Sequence, residues 1–311
     1  MMPRLQRRRF LALTAAAVAL PRSALASAPV ANWRGTALGA PASMSLAGVE
    51  PSAASGVFAA VEAEVSRLEN IFSLYRPHSA LSRLNKDGRL SDAPAEMIEL
   101  LSLCDALHAA TQGAFDPTIQ PLWALYAQTS ANNTAPTEKQ IIRVLEQTGW
   151  TGLERRGASL SFASRDMALT LNGIAQGYVT DKIAALLRRH GLTDIAINMG
   201  ETAALGKAPR GGPWRAGIVD PEGRVQSRIP LNDRALATSA PLGTVLDATG
   251  SIGHIIDPRT GRPGGQWSLV SVSAANAALA DGLSTAFCLM TREQIDATLA
   301  AMPNVSLEIL I

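Results

Sequence analysis

The sequence is short of cysteine: Cys104 and Cys288 are the only two in 311 residues. That excludes a disulfide scaffold and a cysteine-rich zinc site. Both fall in apolar helical patterns, which predicts two buried thiols rather than a bridge. Neither sign of charge prevails, because 28 Lys and Arg against 26 Asp and Glu leave +2. With 47% hydrophobic and 17% charged residues, disorder, collagen and coiled coil are excluded. No apolar run is long enough to cross about 30 Å of hydrocarbon as a helix. No internal repeat is visible, and no low-complexity linker follows residue 50. No Gly-x-Gly-x-x-Gly follows a strand pattern, so a dinucleotide-binding Rossmann unit has no support.

What is present starts with a leader, MMPRLQRRRFLALTAAAVALPRSALASAPV. Arg4, Arg7, Arg8 and Arg9 form a positive segment, and Leu11 to Leu20 form a short apolar one. Ala24-Leu25-Ala26 and Ala26-Ser27-Ala28 are small-x-small cleavage sites. Arg7-Arg8-Arg9-Phe10-Leu11 fits the twin-arginine pattern, which predicts export to the periplasm in a folded state. No cysteine follows the apolar segment, which argues against a lipoprotein anchor. The expected division is residues 1–28 as signal and 29–311 as the mature domain. The leader holds five arginines and no acid, so its removal takes the net charge from +2 to −3. A mildly acidic chain offers no electrostatic footprint for nucleic acid.

Hydrophobic periodicity predicts five helices, over 57–75, 93–111, 137–148, 174–190 and 276–290. Thr137 is placed as an N-cap, and Gly149 and Gly191 as stops. Short strands are expected at 194–199, 215–219, 235–238 and 269–273, with a hairpin joining 160–162 to 168–171. Residues 132–136 read as a loop. Long helices between short strand pairs predict an α+β fold with mixed or antiparallel sheets and packed helices around one core, rather than a regular βαβ array.

Three polar constellations carry chemistry. Leu171-Asn-Gly-Ile-Ala-Gln-Gly-Tyr178 places Gly173 and Gly177 at a strand-to-helix turn. It reads either as a helix N-terminus open to phosphate or metal, or as a tight turn without a ligand. His254-Ile-Ile-Asp-Pro-Arg-Thr-Gly261 packs an imidazole, a carboxylate and a guanidinium into one turn. It reads as a phosphate and proton-transfer site or as an Asx turn with a structural histidine. Asp281 and Thr285 share one face of an apolar helix. They read as hard ligands for a cation such as Mg²⁺, or Asp281 reads as a cap. Tyr75, at the end of the first helix, presents a ring to a planar ligand or packs in the core.

Seven stretches resemble the ApbE family of FAD:protein FMN transferases, in family order. They are FSLYRPHSALSRLN (72–85), GAFDPTIQPLW (113–123), LNGIAQGYVTDKIAALLRRHG (171–191), INMGE (197–201), LATSA (236–240), HIIDPRTGRP (254–263) and ADGLSTAF (280–287). The resemblance implies an ApbE-like (T-fold-like) architecture that binds FAD and Mg²⁺. It implies transfer of FMN to a Thr or Ser hydroxyl of an acceptor flavoprotein, with release of AMP. It maps magnesium to Asp281, Thr285 and Gly173, and flavin contacts to Tyr75, Ala114, Phe115, Asp116, Gln176 and Ile255. His254 falls beside the pyrophosphate as the general base, with Asp257 as the second choice.

The chain departs from the family pattern at Thr170, where an acid is usual. Gln176 stands where a lysine is usual, and Gly200-Glu201-Thr202 replaces Gly-Gly-Asp. These departures leave two other readings open, an FAD carrier with little turnover and an FAD pyrophosphatase. The twin-arginine leader resembles that of NosX, the accessory flavin protein of nitrous oxide respiration. That subtype implies a NosR-like membrane flavoprotein as acceptor, while the exported chain itself is not membrane-embedded.

Overall fold

The computed structural model describes residues 28–311. The leader expected at residues 1–28 therefore lies outside the described residues, except for Ala28. The described chain opens with β1 (Val30–Ala37) and β2 (Ala40–Ala47), joined through Leu38 and Gly39, both at positive φ. Two consecutive positive-φ residues suit the right-handed twist of a hairpin. Helix α1 (Ser55–Phe72) buries Val61, Val65, Leu68, Ile71 and Phe72, the apolar stripe seen in the sequence. Then come α2 (Ala80–Asp87), β3 (Arg89–Leu90), α3 (Ala95–Ala110), α4 (Gln120–Ala131) and α5 (Glu138–Leu145). The middle of the chain holds β4 (Leu153–Arg156), β5 (Ser159–Phe162), α6 (Ala175–Arg189), β6 (Ile195–Asn198) and β7 (Thr202–Leu205). Next are β8 (Trp214–Val219), β9 (Val225–Leu231), β10 (Arg234–Ser239), β11 (Ile256–Asp257) and β12 (Arg262–Pro263). The last elements are β13 (Val270–Ala274), α7 (Ala277–Phe287), α8 (Arg292–Ala300) and β14 (Ser306–Leu310).

The frame is a seven-stranded sheet in the order β1-β2-β6-β7-β10-β13-β14, antiparallel at every pairing. The fold is thus α+β with antiparallel sheets and packed helices. Strands β6, β7 and β13 are buried at every position, so the centre of the sheet is covered on both faces. The main core packs α1, α3, α6 and α7 side chains such as Leu68, Leu101, Ile183 and Phe287 against Met44, Leu46 and Ile197 of the sheet. A smaller core sets Ala216, Ile218 and Leu231 of the β8–β9 hairpin against Ala204, Leu236 and Leu269. Cys104 and Cys288 are both free and buried, as expected. Among the described residues no helix is long and apolar enough to cross a membrane.

One pairing differs from expectation. Ser159–Phe162 pairs with Leu153–Arg156 and Arg89–Leu90, and residues 168–171 form no strand. Their backbone is satisfied elsewhere. Leu169 donates its N–H to Asn85 Oδ1 and accepts from Asn85 Nδ2, both at 2.8 Å. The Thr170 N–H donates to the Pro117 carbonyl at 2.8 Å. A side chain from α2 replaces a partner strand, and period-two hydrophobicity cannot reveal that substitution.

Candidate active site

Helices α6 and α7 build the base of the site by capping one another. An α-helix leaves its first four N–H groups without an internal partner. In α6 one of these, Gly177 N–H, donates to Asp281 Oδ2 on α7 at 3.1 Å. In α7 the Ala277 and Ala278 N–H groups donate to Asp181 on α6 at 2.7 and 2.9 Å. Asn276 Oδ1 accepts the Leu279 N–H at 2.9 Å and completes the α7 cap. Asp281 is therefore not the cap of its own helix, and it stands in the second turn, 4% exposed. Gly177 permits the close crossing, since a Cβ there would run into the Ala277 carbonyl.

Above this base lies a cavity of about 320 Å³, lined from widely separated parts of the chain. Tyr75 sits on it just beyond α1, with Ala114, Phe115 and Asp116 from the turn after α3. Gly173 and Gln176 come from the start of α6, and Asp281 and Thr285 from α7. His254 and Ile255 line it from the segment before β11. Every site residue expected from the sequence lines this cavity except Asp257, which stands outside the lining. The Asp257 carboxylate is engaged in its own turn. It accepts the Arg259 N–H at 2.8 Å and pairs with the Arg259 guanidinium at 2.8 Å.

The lining residues do different work. The Tyr75 ring is 63% exposed, so it is not a core staple. Ala114, Phe115 and Ile255 are buried and supply apolar wall. The Asp116 carboxylate holds its turn, accepting from the Thr118 N–H and hydroxyl at 2.8 and 2.6 Å and from the Trp150 N–H at 3.2 Å. His254 Nδ1 lies 3.2 and 3.1 Å from the Pro241 and Thr244 carbonyl oxygens. Those oxygens only accept, so Nδ1 carries the proton and the basic lone pair belongs to Nε2. Thr170 also lines the cavity, and its hydroxyl accepts the Asn172 N–H at 3.2 Å.

A residue the sequence marked only as a departure belongs to the same wall. Glu201, at the β6–β7 turn, lines the cavity and is 8% exposed. Its Oε2 is buried with no hydrogen-bond partner among the described residues. Burial, reinforced by the Asp281 charge, pushes its carboxyl well above the usual range against a smaller opposing pull from the Thr238 amide. Burial likewise raises Asp281 from 3.8 to about 7, with the Gly177 amide opposing and Asp181 adding to the shift. The signal in the sequence was a carboxylate next to a run of buried strand residues with no basic residue near it. Ser239, from the LATSA stretch, also lines the cavity and sits 2.8 Å from Ser284 Oγ and 3.4 Å from Thr285 Oγ1.

This donor chemistry fits a hard divalent cation. Buried carboxylate oxygen, the Thr285 hydroxyl and nearby backbone carbonyls are oxygen donors without thiolate or imidazole. At Gly173 a Cβ would come within 3.0 Å of Thr285 Oγ1, so the bare backbone keeps that approach open. Among the described residues no group of three or more His, Cys, Asp and Glu side chains converges. A cation here would draw on a mixed set of oxygens rather than a cluster of acids.

Comparison with known proteins gives one consistent answer. Residues 38–309 match the ApbE family. An FAD:protein FMN transferase of Klebsiella pneumoniae is 29% identical over 273 residues, covering 81% of this chain and 76% of that protein. One from Vibrio cholerae is 30% identical over 250 residues, covering 75% and 74%. Among solved structures, the flavin transferase ApbE from Vibrio cholerae superposes with a TM-score of 0.80 at 26% identity, over 90% of this chain and 93% of that one. The apo form of the Pseudomonas stutzeri flavinyl transferase ApbE gives 0.75 at 28% identity, over 88% and 89%.

Proposed function

The chain belongs to the ApbE family, and from that premise we propose that it moves FMN from FAD to a hydroxyl of an acceptor protein. The relatives are FAD:protein FMN transferases, and this chain is an enzyme of that kind. The observation that carries the reading is the cavity itself. It joins an exposed aromatic ring, an apolar wall, a histidine and a buried oxygen-donor site in one space. FAD needs each of these, for its ring system and for its pyrophosphate.

In the proposed reaction the acceptor hydroxyl oxygen attacks the phosphorus on the FMN side of the pyrophosphate. A new P–O bond forms, the bond to the bridging oxygen breaks, and AMP leaves with the electron pair. His254 Nε2 takes the hydroxyl proton. The Pro241 and Thr244 carbonyls hold the ring in the tautomer that task requires. Tyr75 and Phe115 orient the flavin, and Gln176 closes the wall beside Gly200. Asp281 and Thr285, with the Gly173 carbonyl, would hold Mg²⁺. When bound, that ion neutralises charge on the pyrophosphate and on the leaving phosphate.

The acceptor is proposed to be a periplasmic flavoprotein, on the strength of the Arg7-Arg8-Arg9-Phe10-Leu11 leader. A NosR-like protein of nitrous oxide respiration is the specific candidate. The test mixes purified protein, FAD and a candidate acceptor domain, with Mg²⁺ or with chelator, and reads the intact mass of the acceptor. The expected result is a metal-dependent gain of one FMN phosphoester, lost in His254→Ala. Release of AMP without a gain in mass would overturn transfer in favour of pyrophosphate hydrolysis.

A further inference from the structure

Glu201 is unexplained by the site as assigned. Its Oε2 is buried and unpartnered among the described residues, and the residue lines the same cavity as Asp281 and Thr285. A buried carboxylate oxygen without a partner costs free energy, and a second buried carboxylate beside it adds repulsion. No Lys or Arg lines this cavity. The Gly177 and Thr238 amides each oppose the burial of one carboxyl, but no side chain with a fixed positive charge lines the cavity among the described residues, so a cation from solution is the available counter-charge.

We propose that Glu201 is a second anionic ligand of the cation held by Asp281 and Thr285, so that this chain grips a divalent ion with two carboxylates. The inference rests on the metal site of the preceding section. Position and rigidity favour it. Glu201 stands in the turn between β6 and β7, both fully buried in the central sheet, so its backbone cannot drift from the site. The Thr180 hydroxyl donates to the Glu201 carbonyl at 3.2 Å and fixes the turn to α6, the helix that carries Gly173 at its entrance. Ligand charge count is one of the quantities that sets divalent affinity, so the added carboxylate tightens the site.

The experiment titrates purified wild type, Glu201→Gln, Glu201→Asp and Asp281→Asn with Mn²⁺, read by the electron paramagnetic resonance of free Mn²⁺, with Mg²⁺ as competitor. Each titration is run with and without FAD. Thermal melts of the metal-free proteins establish that each variant is folded. Glu201→Gln is expected to weaken Mn²⁺ binding by about tenfold or more, with partial recovery in Glu201→Asp. Wild-type affinity in Glu201→Gln, with loss in Asp281→Asn, would overturn the role of Glu201 and leave the metal site standing. Absence of Mn²⁺ binding in the wild type would overturn both. If Glu201→Gln did not fold, Glu201→Asp decides: unchanged Mn²⁺ affinity in that shortened side chain would overturn direct ligation.

Discussion

Asp281 accepts a hydrogen bond from the first turn of α6 and lines the cavity at the same time. Its burial raises the carboxyl from 3.8 to about 7, and burial raises Asp181 to about 6. A raised carboxyl contributes stability that is complete below its unfolded value and is lost as pH rises through its folded value. In chelator, the melting temperature should therefore fall as pH rises from about 4 to about 7. Saturating Mg²⁺ should flatten that slope, since the ion favours the charged form. A metal-free melting temperature that climbs across this window would contradict the burial of these acids. Asp281 and Thr285 were legible in the sequence because two polar groups four apart on an apolar helix are conspicuous. Asp257 was equally conspicuous, yet its carboxylate serves the hairpin turn with Arg259. A single sequence does not separate a carboxylate that lines a cavity from one that serves its own turn.

At the level of elements, the α6–α7 pair is held by reciprocal caps across a close crossing. Each helix supplies the carboxylate that caps the other, and a glycine lets them touch. Asp181→Ala removes two N-terminal hydrogen bonds of α7 and should cost about 1–2 kcal/mol in denaturant unfolding at pH 7. Gly177→Ala drives a methyl into the Ala277 carbonyl and should cost roughly 1–3 kcal/mol. Both should weaken cation binding as well, because Asp281 and Thr285 ride on α7. Stability equal to wild type in Gly177→Ala would mean that the helices can separate freely. The long helices were legible because their stripes exceed three turns, as in α1. The capping box at Thr137, with Gln140 returning to the Thr137 N–H at 2.8 Å, follows its expected cap position. The short helices α2, α4 and α8 escaped notice. Two of them run only eight and nine residues, and Pro121 opens α4. The residue 168–171 segment misled because Asn85, not a strand, completes its backbone.

For the whole molecule, the cavity draws on chain positions from Leu38 to Leu289 and on the sheet as well as the helices. No local stretch of sequence contains it, so its assembly was legible only through the ordered series of family motifs. The same dispersion has a thermodynamic consequence. A ligand that touches α1, the turn after α3, α6, β10 and α7 binds only when all of them are in place. FAD at about one hundred times its dissociation constant should then stabilise the protein by about 2.7 kcal/mol. The shift should appear in one unfolding transition, followed in parallel by flavin fluorescence and far-ultraviolet circular dichroism. Mg²⁺ should add a further increment in wild type and none in Asp281→Asn. Two separable transitions, with FAD moving only one, would show that part of the chain folds without the site. The binding energy would then belong to fewer elements than the lining implies.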